Sequence, residues 1–273
     1  MSTIKDNKKN TTHTFMAKKK NGEKITVLTA YDYFTARLLD RAGIDSLLVG
    51  DSAGNVIHGF ENTLPVTMDM MVIHTAAVTR GASRALIIAD MPFLSFQPSI
   101  KTAIKNAGRF LKEAGAEAVK IEGGLEMIPT IKRLIECGIP VMGHIGLTPQ
   151  SIHRFGGPKI QGKKDWSRAY LMESALALEE AGCFSMVLEL LDTELANEIT
   201  RNLKRAATIG IGAGPGCDGQ VLVINDILGL REEGFKPKFL REYANLTPLI
   251  IEAVQRYIED VKEGRYPREE ESY

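Results

Sequence analysis

The chain has 273 residues, 44% hydrophobic and 25% charged, enough to bury a full core as one large domain or two small ones and too apolar for a disordered or fibrous protein. Its 34 basic and 34 acidic residues cancel, which removes the electrostatic ground for binding nucleic acid or an anionic membrane and leaves a small-molecule substrate as the expectation. Cys137, Cys183 and Cys217 are odd in number and lack a CxxC pair, which speaks against a disulfide framework or a zinc site and for a reducing compartment; no apolar run approaches the roughly 20 residues of a membrane span and the amino terminus has no apolar signal segment, so a cytoplasmic protein is expected.

Residues 1–14, MSTIKDNKKNTTHT, are polar and aperiodic and are expected to form a mobile tail, with 15–273 as a single domain. The basic run Lys18-Lys19-Lys20 reads as a solvated face. Eight strand-like segments follow: Ile25–Ala30, Ser46–Gly50, Ala85–Ala89, Ala118–Glu122, Val141–Ile145, Ser185–Leu190, Thr208–Gly212 and Gln220–Ile224. Their apolar, β-branched character is that of strands covered on both faces. Helical stretches alternate with them and stop at glycine: Tyr33–Ala42 at Gly43, Ile100–Ala114 at Gly115, Ile128–Cys137 at Gly138 and Trp166–Ala181 at Gly182. Eight βα repeats predict an α/β fold of the closed (β/α)8 TIM-barrel type. A doubly wound open sheet would carry an early GxGxxG turn, which this chain lacks after its first strand. Thr247–Gly264 reads as a long amphipathic helix that closes the barrel or packs on a neighbouring subunit.

Three acidic residues, Asp51, Asp90 and Glu122, fall at or just past the ends of the second, third and fourth strands. Carboxylates at the carboxyl ends of successive parallel strands converge on one rim, where a hard cation such as Mg2+ can be held by oxygen ligands. An Asp after a strand can equally cap the next loop, and it is the joint occurrence of the three that favours a metal site. Strand alternation puts Lys120 on the same face as Glu122 and puts Val187 and Glu189 together; Lys120 reads as a Schiff-base amine, a side chain that snorkels outward or, favoured by its position, a charge partner for the carboxylates. A lone Glu189 among Leu188, Leu190 and Leu191 is either a buried structural partner or a general base whose pKa burial has raised. His144 at the end of the fifth strand reads as a satisfied core histidine, a ligand or a hydrogen-bond donor, and His58, His74 and His153 as loop or surface residues. The glycine-rich run 209–216 lacks the second glycine-rich turn of a phosphate site and reads as room for backbone to approach a ligand; the stretch 155–162, FGGPKIQG, suits a mobile flap.

The blocks Thr29–Asp32, Val49–Ser52, Thr63–Thr67, Ala89–Phe93, Val119–Gly124, Gly143–Gln150 and Ile209–Gly214, in this order, strongly resemble the ketopantoate hydroxymethyltransferase (3-methyl-2-oxobutanoate hydroxymethyltransferase) family. The resemblance implies a barrel of the phosphoenolpyruvate/pyruvate superfamily type. It also implies transfer of a hydroxymethyl group from 5,10-methylenetetrahydrofolate to 3-methyl-2-oxobutanoate, giving 2-dehydropantoate for pantothenate and coenzyme A synthesis. By the same resemblance Asp51, Asp90 and Glu122 hold Mg2+, Asp51, Ser52, Asp90, Lys120 and His144 contact the keto acid, Glu189 is the base, and the chain forms a homo-oligomer, commonly a decamer. The chain departs from the family pattern at Pro158, at Asn225 and in the loop bearing Asn55, His58, Phe60 and Glu61, all away from the metal and base positions. Two rivals are weaker. A Mg2+-dependent 2-oxo acid carbon–carbon lyase of the same superfamily usually carries a reactive cysteine in its flap, where this chain has none, and a non-catalytic scaffold would have lost one of the acidic groups.

Overall fold

The computed structural model describes residues 8–231 and 236–273. In chain order the elements are α1 (Thr12–Asn21), β1 (Ile25–Thr29), α2 (Tyr33–Ala42), β2 (Ser46–Val49), α3 (Ala53–Val56), α4 (Met68–Gly81), β3 (Leu86–Asp90), α5 (Ile100–Lys112), β4 (Ala118–Glu122), α6 (Ile128–Glu136), β5 (Val141–Gly146), α7 (Ile152–Phe155), α8 (Asp165–Ala181), β6 (Ser185–Glu189), α9 (Thr193–Asn202), β7 (Ala207–Ile211) and β8 (Gly219–Leu222). The eight strands pair in sequence order and in parallel, and β8 closes on β1, so the predicted barrel is present. All four predicted glycine stops, 43, 115, 138 and 182, take positive φ, the conformation that lets the chain leave a helix and enter the next strand.

β2 to β5 bury both faces, as their apolar runs require, whereas β1 and β8 each expose a residue, Thr26 and Gln220, on one face. One face meets the helices; the other fills the barrel with Ile25, Val27, Leu48, Leu86, Ile88, Ala118, Met142, Val187, Ala207, Ile209 and Val221. These residues occupy the amino-terminal part of the strands, and the polar residues Asp90, Lys120, Glu122, His144 and Glu189 follow them towards the carboxyl ends. Hydrophobic burial therefore holds the lower barrel together while the upper barrel is left for chemistry.

The expected tail is corrected here. Residues 1–7 lie outside the described residues, but Asn10 N–H donates to Arg84 O at 2.7 Å, Lys9 Nζ to Ala85 O at 2.7 Å, and α1 begins at Thr12. Phe15 is fully buried in the barrel core and meets Phe184 edge to face, with ring centroids 5.6 Å apart. The helix escaped the sequence pattern because Phe15 is its single buried residue, which leaves no repeating apolar face. Nor is the basic run simply solvated. Lys18 pairs with Asp45, and Lys19 with Asp218 at 2.8 Å in largely buried positions; both carboxylates also accept from strand residues, Thr26 and Thr208.

The barrel unit ends at Val223, and Ile224–Tyr273 forms a second compact unit, where one domain over 15–273 was expected. That unit holds α10 (Ile224–Ile227) and α11 (Leu246–Lys262). The amphipathic pattern of α11 is real, yet none of its residues is buried. No helix among the described residues is long and apolar enough to cross a membrane, and all three cysteines are free. As a test of the α1 plug, Phe15→Ala should cost about 3–5 kcal/mol in urea-induced unfolding, whereas a detached tail would give no change.

Candidate active site

The strand register assembles the site. Asp90 on β3 pairs with Lys120 on β4, Glu122 with His144 on β5, and Gly146 with Glu189 on β6, so four consecutive strands deliver their charged residues to one level. Asp51 follows β2 and its backbone N–H donates to Asp90 Oδ2 at 3.2 Å. Together with Ser52 these residues line a cavity of about 160 Å3, whose remaining wall includes Leu48, Val187, Ile211 and Val221. Every sequence-predicted site residue is therefore in one place.

Lys120 is the hub. Its Nζ lies 2.7 Å from Asp90 Oδ1, 3.7 Å from Glu122 Oε1 and 3.1 Å from His144 Nδ1. Burial alone would strip its proton, but the carboxylates of Asp90, Glu122 and Asp51 outweigh that and hold the ammonium above its ordinary value. An ammonium can only donate, so His144 Nδ1 accepts; the ring is neutral and carries its hydrogen on Nε2, which stands 3.3 Å from Glu189 Oε2. Burial, with the Lys120 charge, keeps His144 well below the usual histidine range and so keeps the ring neutral.

The carboxyl groups outnumber the ammonium. Burial pushes Asp90 up to about 7, with Lys120 opposing and Asp51 adding to the shift. Glu122 is raised well above its ordinary value by burial, again against Lys120. Glu189 is pushed up to about 8 by burial, with Lys120 opposing and Asp51 adding. Its side chain nevertheless keeps 18% of its surface, so a substrate can reach it. Local backbone aims it: Leu190 takes φ 44°, a strained value for a non-glycine residue that turns the chain sharply, and Gly146 leaves no space for a Cβ against the Glu189 carbonyl.

The donor set fits a hard divalent cation. Asp90 and Glu122 each give one oxygen to a backbone N–H, that of Asp51 and of Gln150, and the other oxygen has no hydrogen bond, apart from the ion pair of Asp90 with Lys120. Among the described residues no three carboxylate, imidazole or thiolate groups form a ready-made metal cage. A Mg2+ ion, which keeps several waters and leans on few carboxylates, needs none.

Sequence reasoning missed four residues of this assembly, Gln150, Tyr31, His74 and His58. Gln150 is buried and its Nε2 donates to Asp51 Oδ2 at 3.1 Å and to Met91 O at 2.8 Å, fixing a site carboxylate. Tyr31 OH shares a hydrogen bond of 2.8 Å with Ser52 Oγ, and His74 Nδ1 donates to the Tyr31 carbonyl at 2.7 Å while its Nε2 meets His58 Nε2 at 3.0 Å. The available signal was weak: Gln150 is a polar residue in a turn after a strand, ordinarily solvated. The run 209–216 is also corrected. A Cβ at Gly214 would meet Thr193, and one at Gly216 would meet Asn197, so these glycines admit α9 rather than a ligand. At the far end of the flap, Gln161 bridges Leu190 O and Asp192 N–H and so ties the flap to β6.

A family model described as ketopantoate hydroxymethyltransferase matches residues 9–269. The chain is 56% identical to the 3-methyl-2-oxobutanoate hydroxymethyltransferase of Syntrophus aciditrophicus over 273 residues, 100% of both chains. It is also 56% identical to that of Trichlorobacter lovleyi, covering 97% of this chain and 99% of the relative. Among solved structures it is similar to phosphonopyruvate hydrolase in complex with oxalate and Mg2+ (TM-score 0.60, 12% identity, 96% and 93% of the two chains) and to 2,3-dimethylmalate lyase, a member of the PEP mutase/isocitrate lyase superfamily (TM-score 0.58, 15% identity, 96% and 91%). At that identity the two structures speak for the fold alone.

The raised carboxyl pKa values have a stability consequence. The folded chain binds protons at Asp90 and Glu189 more tightly than the unfolded chain, so their contribution is complete below the ordinary carboxylate range and is lost as pH rises through about 7 and about 8. In a chelator, the melting temperature should fall as pH rises from about 4 to about 8 and level off above that, and Glu189→Gln should flatten the upper part of that fall. A pH-independent melting temperature in both proteins would contradict the site's electrostatics.

Proposed function

This chain belongs to the ketopantoate hydroxymethyltransferase family, an enzyme family whose reaction forms 2-dehydropantoate for pantothenate synthesis, and we propose how its residues carry that reaction out. 3-Methyl-2-oxobutanoate enters the small cavity with its branched alkyl group against Leu48, Val187, Ile211 and Val221 and its oxygens towards Lys120, Ser52 and the carboxylate cluster. Asp51, Asp90 and Glu122 would hold Mg2+, which when bound supplies positive charge beside the keto acid's oxygens as negative charge develops there.

Glu189 removes the C3 proton as general base. The observation that carries this role is its position: a carboxyl pushed up to about 8 and still 18% exposed, on the cavity wall across from the cluster and 3.3 Å from the neutral His144. His144 Nε2–H stands 3.3 Å from Glu189 Oε2 and presents a donor beside the base. Lys120 offsets the negative charge that the enolate adds to an already acidic site. The Tyr31 hydroxyl holds Ser52 in position for the keto acid carboxylate. C3 then bonds to the methylene carbon carried by 5,10-methylenetetrahydrofolate as one of its C–N bonds breaks, the oxygen of a water replaces the other C–N bond, and the proton taken from C3 and one from the water go to the two folate nitrogens, so that tetrahydrofolate leaves. α11 carries self-association into a homo-oligomer, a decamer on the family pattern; its exposed Leu249, Ile250, Ile251, Val254, Tyr257 and Ile258 support that reading. The three free cysteines support a reducing, cytoplasmic setting.

NMR of deuterium exchange at C3 tests the base. Glu189→Gln should abolish exchange while Mg2+-dependent keto acid binding, measured by calorimetry, is retained, and unchanged exchange would remove Glu189 from the role. Asp90→Ala should instead weaken Mg2+ binding by at least about tenfold, since it deletes a charged ligand; undiminished affinity would take Asp90 out of the metal set.

A further inference from the structure

The 160 Å3 cavity is matched to a small keto acid and has no room for a carrier of one-carbon units. A second cavity of about 490 Å3, within the range that holds drug-sized ligands, opens beside it, and Glu122 stands in the wall of both. Resting on the reading that a folate carries the one-carbon unit, we propose that this second cavity seats the folate, with the Glu126 carboxylate gripping the 2-amino and N3–H edge of the pterin and Trp166 offering the stacking face.

Glu126 is prepared for such a partner. Its Oε2 accepts from Tyr170 OH at 2.5 Å and its Oε1 from Gly124 N–H at 3.1 Å, which fixes the carboxylate plane at the cavity wall. The residue remains exposed beyond these bonds, so the carboxylate can still accept from a ligand. Burial works against the charge, but the Tyr170 and Gly124 hydrogen bonds and the nearby Arg154 hold Glu126 below its usual range and keep it ionised. Two adjacent N–H donors on one edge pair with a carboxylate in the parallel, two-bond manner of a guanidinium, so a pterin edge complements this group and an ordinary sugar or alkyl ligand does not. Trp166, the single tryptophan of the chain, is 71% exposed at the same cavity, an aromatic plane of the kind that flat heteroaromatic rings cover. Arg154, also in the wall, supplies a cation for the anionic glutamate tail of a folate. With the shared Glu122 wall, a donor bound here lies next to the keto acid cavity.

Tetrahydrofolate, titrated calorimetrically into the Mg2+ and keto acid complex of the full chain, tests the assignment. Glu126→Gln and Trp166→Ala should each weaken its binding by at least about tenfold and raise the KM for the folate donor in proportion, while the KM for the keto acid and the donor-free exchange at C3 stay within about twofold. A tetrahydrofolate analogue with a methyl group in place of the 2-amino group should bind the Glu126→Gln protein as well as it binds the unsubstituted protein, because the interaction is already gone. Unchanged tetrahydrofolate binding in both variants overturns the assignment, and so does an analogue that loses as much affinity as tetrahydrofolate on Glu126→Gln, which would give Glu126 a structural role only. Failure of the functional reading itself looks different: the unsubstituted protein would show no exchange at C3.

Discussion

Four carboxyl groups, Asp51, Asp90, Glu122 and Glu189, share one buried ammonium, Lys120, at the carboxyl end of the barrel. In surroundings of reduced dielectric that imbalance is costly: unpaired charges repel strongly, and desolvation favours neutral forms. The site answers it in several ways at once. Asp90 and Glu189 are poised to hold protons near neutral pH, Lys120 stays charged, and His144 stays neutral because its Nδ1 must accept from Lys120. Asp90 Oδ1 and Glu122 Oε1, which accept no hydrogen bond, are the proposed contacts of a divalent cation that would complete the balance. The same imbalance would favour a cation together with an anionic, chelating ligand.

Such a site needs rigid support, and the lower barrel provides it. Apolar residues fill the strands up to the level where Asp90 and Lys120 begin, and Phe15 from α1 closes the bottom. Because neighbouring strands are locked in register, Lys120 cannot drift from Asp90, nor Glu122 from His144. The strain at Leu190 and the close approach at Gly146 lie beside the proposed base, where backbone precision matters most.

The two cavities divide the labour by size and polarity. The small one joins a charged wall to an aliphatic one, which fits a branched 2-oxo acid. The large one carries an ionised carboxylate, an exposed indole and a guanidinium, which fits a flat heteroaromatic ring with an anionic tail. Their common wall at Glu122 is where the two reactants would meet.

The sequence by itself determined the barrel, the level of its charged residues and the family, because strand alternation, glycine stops and carboxylates at strand ends are local patterns that survive in one dimension. It could not show α1, whose docking rests on one phenylalanine and on ion pairs to Asp45 and Asp218, far along the chain. Only the tertiary structure decided that Gln150 braces Asp51, 99 residues away, that His144 carries its hydrogen on Nε2, that Gly214 and Gly216 admit α9, and that the carboxyl-terminal residues form a unit of their own. Each of these depends on distances between residues remote in sequence, and a periodic pattern reports which side of an element is apolar without saying what it meets.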